Sequence, residues 1–384
     1  MNNHATSPER LHSLDALRGV AALAVVFWHW QHFFFPGRTL AAGFKGEAQP
    51  FYEVFKIFYQ HGALGVYLFF SLSGFIFFWL YAKTISTRRL TPGEFFVLRF
   101  SRLYPLHLAT LLLVAIGQRV YTGINGGSFV YPHNDVRHFA LNILLAPSIG
   151  LERGFSYNGP VWSVSVEVVL YAVFFVFCWF HITSTSILLI VSLAGFFVLT
   201  NYYEPLGSGI GSFFLGGVVH AIFVGIASRR NSHLITRLVV AATVVLWGAT
   251  IASVYTGISL RLSSTQGLFS VLILFPMTIL SLALVEQSGA AFAKALSPLG
   301  EISYSLYLIH FPLQLAFVLA MQAVGLGANF FTTGISLILY FAVLLPLSFA
   351  SFRYLEIPAQ RYLRGKWLTP RFSRPPAAAT ELER

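Results

Sequence analysis

Hydrophobic and polar positions along this chain do not alternate as in a soluble sheet, nor do they form the narrow stripe of a soluble helix. They form long apolar runs separated by short polar segments. About 20 apolar residues carry a helix across a bilayer core. Runs of roughly that length lie at 14–35, 61–81, 95–118, 160–180, 184–201, 207–227, 235–255, 266–286, 302–323 and 331–352. The pattern predicts an all-α polytopic membrane protein, a bundle of about ten transmembrane helices. The link at 181–184 is short, and the fifth run is the weakest of the set. Residues 1–13 read as a cytoplasmic lead-in, 14–361 as the membrane domain, and the Pro- and Ala-rich 362–384 as a disordered cytoplasmic tail. The first run ends in Phe-Phe-Phe-Pro rather than in small residues, so it is expected to stay as a span. The stretch FYEVFKIFY at 51–59 reads as a short amphipathic helix at the membrane interface. There is no internal repeat.

An even number of spans puts both termini on one side, and charge says which. On the ten-span reading, 18 of the 25 Lys and Arg fall on the side of the termini and 7 on the other, so both termini are expected to be cytoplasmic. Composition agrees with the membrane assignment: 56% hydrophobic, 10% charged, mean hydropathy +0.70. A net charge of +11 would also suit nucleic acid. The basic residues cluster beside spans, however, where orientation and anionic headgroups account for them, so the expected partner is the lipid bilayer and not nucleic acid. The single cysteine, Cys178, allows neither a disulfide framework nor a zinc cluster and reads as a packed thiol.

Ionisable residues inside such runs are costly and mark function by default. The first run holds Asp15 and Arg18 near its inner end and His29 eleven residues further on, on the same helix face and about 16 Å along the axis. Interfacial anchoring is the alternative for Asp15 and Arg18. Arg99 and Arg102, three residues apart at the mouth of the third run, form a fork for phosphate or carboxylate oxygens, with positive-inside flanking as the alternative. Glu167 sits about two turns inside the outer end of the fourth run, counted to a depth similar to that of His29. An imidazole and a carboxylate at one level make a general-base pair, and Ser163, one turn before Glu167, is placed to hydrogen-bond it. A purely structural Glu–His pair fits the same pattern. In the ninth run Ser303, Tyr307 and His310 share a face, and Pro312, which has no N–H and crowds the carbonyl of Leu308, predicts a kink near His310. Gly207, Gly211, Gly216 and Gly217 give the spacing of close helix packing. Glu356 lies among basic residues and reads as a partner of Arg353 or Arg361.

Five segments in order, LDALRGVAALAVVFWHW, GVYLFFSLSGFIF, FVLRFSRLYPLH, GPVWSVSVEVVLY and ISYSLYLIHFP, resemble the membrane acyltransferase-3 family from about Leu14 to Arg361. The resemblance implies an inner-membrane bundle that O-acylates glycans such as lipopolysaccharide or exopolysaccharide. It implies acyl-CoA, usually acetyl-CoA, as co-substrate, with no tightly bound cofactor and no metal. It carries the family's first-helix Arg and His onto Arg18 and His29, its Arg pair onto Arg99 and Arg102, and its fourth-span acid onto Glu167. No hydrolase-like domain follows the last run, unlike in two-domain members, which leaves the whole transfer to the bundle or to a separate partner.

Residues and resemblance together give one expectation. Arg18, Arg99 and Arg102 hold the acyl-CoA phosphates, and His29, steadied by Glu167, deprotonates a hydroxyl of a glycan or lipid-linked saccharide, with an acyl-histidine relay as a variant. The outer loop 119–158, with His133, Asp135 and His138, is where acceptor contacts are expected. A transporter or flippase is the rival class, since ten spans with intramembrane ionisable groups also suit translocation.

Overall fold

The computed structural model describes residues 11–35, 37, 39–257, 266–288 and 293–368. Among these residues all regular structure is helical and no strand forms. The α-helices in chain order are α1 (His12–Trp28), α2 (Tyr52–His61), α3 (Gly65–Leu80), α4 (Ala82–Ser86), α5 (Pro92–Asn125), α6 (Val136–Ile143), α7 (Trp162–Trp179), α8 (Thr185–Phe197) and α9 (Glu204–Ala227). They continue with α10 (Ser232–Thr256), α11 (Gln266–Phe269), α12 (Phe275–Gln287), α13 (Ser297–Glu301), α14 (Ser303–Ala323), α15 (Gly334–Ser351) and α16 (Ile357–Trp367).

Among the described residues, eight continuous helical stretches are long and apolar enough to cross a membrane: 52–80, 92–125, 159–179, 204–227, 232–256, 267–287, 303–323 and 334–367. Of the two other expected spans, α8 with its following turn is shorter. The first is α1 followed directly by a 3-10 turn, His29–Phe34. The amphipathic stretch forms α2 and runs through a single tight turn into α3. Two boundaries differ from the sequence reading. Helix α5 continues to Asn125, about 50 Å of rise, so Arg119 is helical and not part of the outer loop. Residues 362–367, assigned from composition to the tail, are the second half of α16, while 1–10 and 369–384 lie outside the described residues.

Local chemistry sets several helix ends. Thr91 and Glu94 form a capping box at the start of α5, with Pro92 in the first helical position where no N–H is needed. The start of α1 is capped from another helix: Glu286, at the end of α12, accepts hydrogen bonds from the backbone N–H of His12 (2.6 Å) and Ser13 (2.9 Å) and from the Ser13 hydroxyl. A carboxylate there satisfies otherwise orphaned donors and faces the positive end of the helix.

In the membrane there is no water to drive helices together, so tight van der Waals contact must do it. Helices α3 and α9 cross with Gly74 against the carbonyl of Phe213 and Gly216 against the carbonyl of Ser71, leaving no room for a Cβ at either point. The expected packing role of the α9 glycines holds. Around this crossing lies an aromatic core in which Phe77 stacks on Tyr171 at 4.6 Å and Phe174 meets Phe78 edge-on at 5.1 Å. Cys178 is buried and free, as its apolar surroundings implied. Pro312 lies inside an unbroken α14.

Candidate active site

The polar residues sort into two clusters, at opposite ends of α1. One gathers Arg18, Arg99, Arg102, Glu167 and Tyr171 with Glu356 and Arg364, linked by a chain of pairwise electrostatic interactions. Arg18 lies 3.8 Å from Asp15, an ion pair one turn long. Arg99 donates to the Tyr81 hydroxyl at 2.8 Å and lies over the rings of Tyr81 and Phe77 at 5.0 and 5.1 Å. A guanidinium packed this way is fixed in orientation, and among the described residues Glu167 acts on it through space. Arg18, Arg99 and Arg102 are each half-buried.

Glu167 belongs here. It accepts a hydrogen bond from Ser73 (3.1 Å), Tyr171 stands between it and Arg99, and Arg18 is in its field. The expected pairing with His29 is therefore not what the fold makes. Helical geometry ends at Trp28, so His29 opens the tighter turn at the far end of α1, while Glu167 lies more than one turn down α7. Ser163 also differs from expectation. Its hydroxyl turns back to the Pro160 carbonyl (3.4 Å) and to the Tyr307 hydroxyl (2.8 Å), because helical side chains lean toward the N-terminus, away from Glu167. Tyr307 in turn donates to the Pro160 carbonyl at 2.7 Å. Glu356, expected among basic residues, lies buried in the field of Arg102. It closes a π-helical turn, Phe352–Glu356, is 1% exposed, accepts from Ser305, and has one oxygen without a partner.

The second cluster surrounds His29, which is buried and borders a cavity of about 470 Å³. His29, His32, Tyr131, His133, Phe155 and Trp162 are among its walls. The Nδ1 of His29 lies 2.9 Å from the Val25 carbonyl, an acceptor only, so Nδ1 carries the hydrogen and Nε2 keeps its lone pair. His310 faces His29 with ring centres 4.8 Å apart, and so does His32. Gln314 joins them, accepting from His32 Nδ1 at 3.1 Å and donating to the His29 carbonyl at 2.9 Å.

Of the outer loop, His133 reaches the cavity. His138 is fully buried and structural: Nδ1 donates to Asp135 at 2.8 Å and Nε2 accepts from the Arg153 N–H at 3.1 Å. Asp135 caps α6, and the backbone N–H and imidazole of His138 hold its carboxyl below the usual carboxylate range. Ser303 turns its hydroxyl to the Gly300 carbonyl at 2.7 Å. Among the described residues no group of three His, Cys, Asp or Glu is arranged to hold a metal ion.

Sequence reasoning passed over His32, Gln314, Tyr131, Tyr171 and Arg364. Helical spacing offered a signal for three of them: His32 lies three residues after His29, Gln314 four after His310 and Tyr171 four after Glu167.

Residues 11–353 match the family model described as an acyltransferase domain, nearly the whole chain. The chain belongs to the acyltransferase-3 family. Its helical fold, with long apolar stretches, is that of a multi-pass membrane protein. Over 108 residues it is 40% identical to "Protein 2 in picA locus" of Rhizobium radiobacter; the match spans 28% of this chain and 46% of that relative, just under half of its length. No solved structure matches.

Proposed function

We propose that this membrane acyltransferase moves an acyl group, in the first instance acetyl, from cytoplasmic acyl-CoA to a hydroxyl of a cell-surface or lipid-linked glycan. Residues 14–361 form the working bundle in the inner membrane, with ten spans and both termini cytoplasmic. The observation that supports this reading is the separation of two chemistries on α1, a partly accessible arginine cluster at one end and an imidazole with a free lone pair beside a cavity at the other.

In this mechanism Arg99 and Arg102, with Arg18, hold the phosphates of CoA, where planar guanidiniums pair with anionic oxygens. Glu167 and Tyr171 orient those arginines. The pantetheine arm runs along α1 and brings the thioester to His29. A sugar hydroxyl in the outer cavity gives its proton to His29 Nε2 as it attacks the thioester carbonyl. The cavity suits a sugar: it is of ligand size and combines aromatic walls (Trp28, Phe155, Trp162) with polar groups (Tyr131, His133).

Membranes containing the protein, given radiolabelled acetyl-CoA, are expected to transfer label to glycan. Movement of a glycan or lipid precursor across the membrane with no covalent labelling would overturn the proposal in favour of a transporter.

A further inference from the structure

A general base becomes a cation during the reaction, and buried cations need a partner. No carboxylate acts on His29 among the described residues. Among the described residues, the titratable groups that act on it are His310 and His32. His32 is already committed, through Nδ1 to Gln314 and with Nε2 3.5 Å from the Tyr131 hydroxyl.

His310 is different. It is completely buried, and neither ring nitrogen has a hydrogen-bond partner. The carbonyls of Leu306 and Tyr307, one turn back on its own helix, act on the ring without completing such a bond. Buried polar groups left unpaired cost free energy, and a phenylalanine would fill the same space without that cost. Backbone carbonyls next to it are paired: the Tyr340 hydroxyl donates to the His310 carbonyl at 2.8 Å, and Asn158 donates to the carbonyl of Leu308 at 2.9 Å. The backbone of α14 is thus held from two sides while the imidazole is left open toward His29, tilted 40° to it at 4.8 Å. Rings at that separation reach nitrogen-to-nitrogen contact by rotation alone.

The geometry points to His310 as the positioning partner of His29, accepting a hydrogen bond from His29 Nε2–H once His29 has taken the acceptor's proton. This inference rests on the proposed role of His29 as base. The reaction balances without a redox step. The hydroxyl O–H bond breaks and its proton goes to His29 Nε2. The oxygen forms the new C–O bond at the thioester carbonyl, and the C–S bond breaks. The departing sulfur takes the proton from the His29–His310 pair, leaving free CoA thiol and two neutral rings. The other titratable groups facing the pair are His32 from the adjoining turn, Tyr307 on α14 (5.9 Å from His310) and Tyr340 from α15, and no charged side chain acts on His310 among the described residues.

The test compares His310→Phe, His310→Gln and His29→Phe in purified full-length protein, reading acetyl transfer, acetyl-CoA affinity and the pH–rate profile. His310→Phe is expected to keep acetyl-CoA affinity within about twofold and to lose roughly 100-fold or more in kcat, on the scale of general acid–base catalysis. His310→Gln, which offers an acceptor oxygen, is expected to recover about tenfold of that loss, with the acid limb of the profile displaced from wild type. Wild-type kcat in folded His310→Phe overturns the inference. If that variant does not fold, His310→Gln with unchanged kcat and profile overturns it instead. An active His29→Phe is a different result, because it removes the base itself and with it the proposed function.

Discussion

The side-chain amide of Asn158 donates to the carbonyl of Leu308 at 2.9 Å, across 150 residues of sequence. That carbonyl is the one a helix would pair with the N–H of residue 312, and residue 312 is proline. The loop before α7 thus supplies the hydrogen bond that α14 cannot make for itself, at the turn that holds His310. Helix α14 runs on through Pro312, and the donor for that carbonyl comes from outside it.

Asn158→Leu is therefore expected to cost about 1–3 kcal/mol, the penalty of leaving a buried acceptor unsatisfied. Pro312→Ala restores the missing N–H, so the double variant should regain much of the loss. Thermal unfolding in detergent across the four proteins of the cycle measures it, and strictly additive losses would show that the two positions are not coupled.

The donor site makes a second expectation. Arg99→Ala and Arg102→Ala are each expected to weaken acetyl-CoA binding by about 1.5–3 kcal/mol, the scale of hydrogen bonds to charged groups. Lysine should restore only part, since it lacks the planar fork. Isothermal titration on folded protein checks this; unchanged affinity would remove these residues from the donor site.

Orientation can be read with thiols. Cys178 is buried, so its replacement by serine should leave a quiet background. Gly127→Cys, at a position with open space around it, should then react with an impermeant maleimide from outside intact cells, and Arg230→Cys should not. The reverse labelling pattern contradicts the cytoplasmic placement of the termini.

Two glycines test the packing argument. Gly74→Ala drives a methyl into the Phe213 carbonyl and is expected to destabilise by about 1–3 kcal/mol through overpacking. Gly248→Ala, in α10 with nothing near, should be neutral or stabilising by up to about 1 kcal/mol, as helix propensity implies. Equal melting temperatures for the two variants would discount the close crossing of α3 and α9.

Much of this was legible in the sequence. Run lengths located nearly every long helix, and the rarity of charge in those runs singled out Arg18, His29, Arg99, Arg102, Glu167 and His310. What the sequence lacked was the vertical offset between helices. Counting residues inward from two different ends put His29 and Glu167 at one depth, whereas packing assigns Glu167 to the arginines and His310 to His29. Glu356 was hidden for another reason. Its hydrogen-bond partner Ser305 is 51 residues away on α14, and the π-helical turn that carries it departs from regular spacing. The cap that Glu286 makes on α1 joins residues 274 positions apart, and no local pattern encodes it.

Helix α1 is held along its whole length. Glu286 fixes its start, Gly300 lies against the carbonyl of Asp15, Gly65 lets Ala21 approach, and Gly62 meets the carbonyl of Ala24. A rod clamped so often cannot slide or stretch, and it bears Arg18 and His29 as two marks about 16 Å apart. On the proposed mechanism it is a ruler. A donor is selected by the length of its arm as well as by its charge: the nucleotide is gripped at one mark, and only an arm that long delivers the thioester to the other. Short thioesters lacking the nucleotide could reach the histidine, but nothing would hold them in register with it.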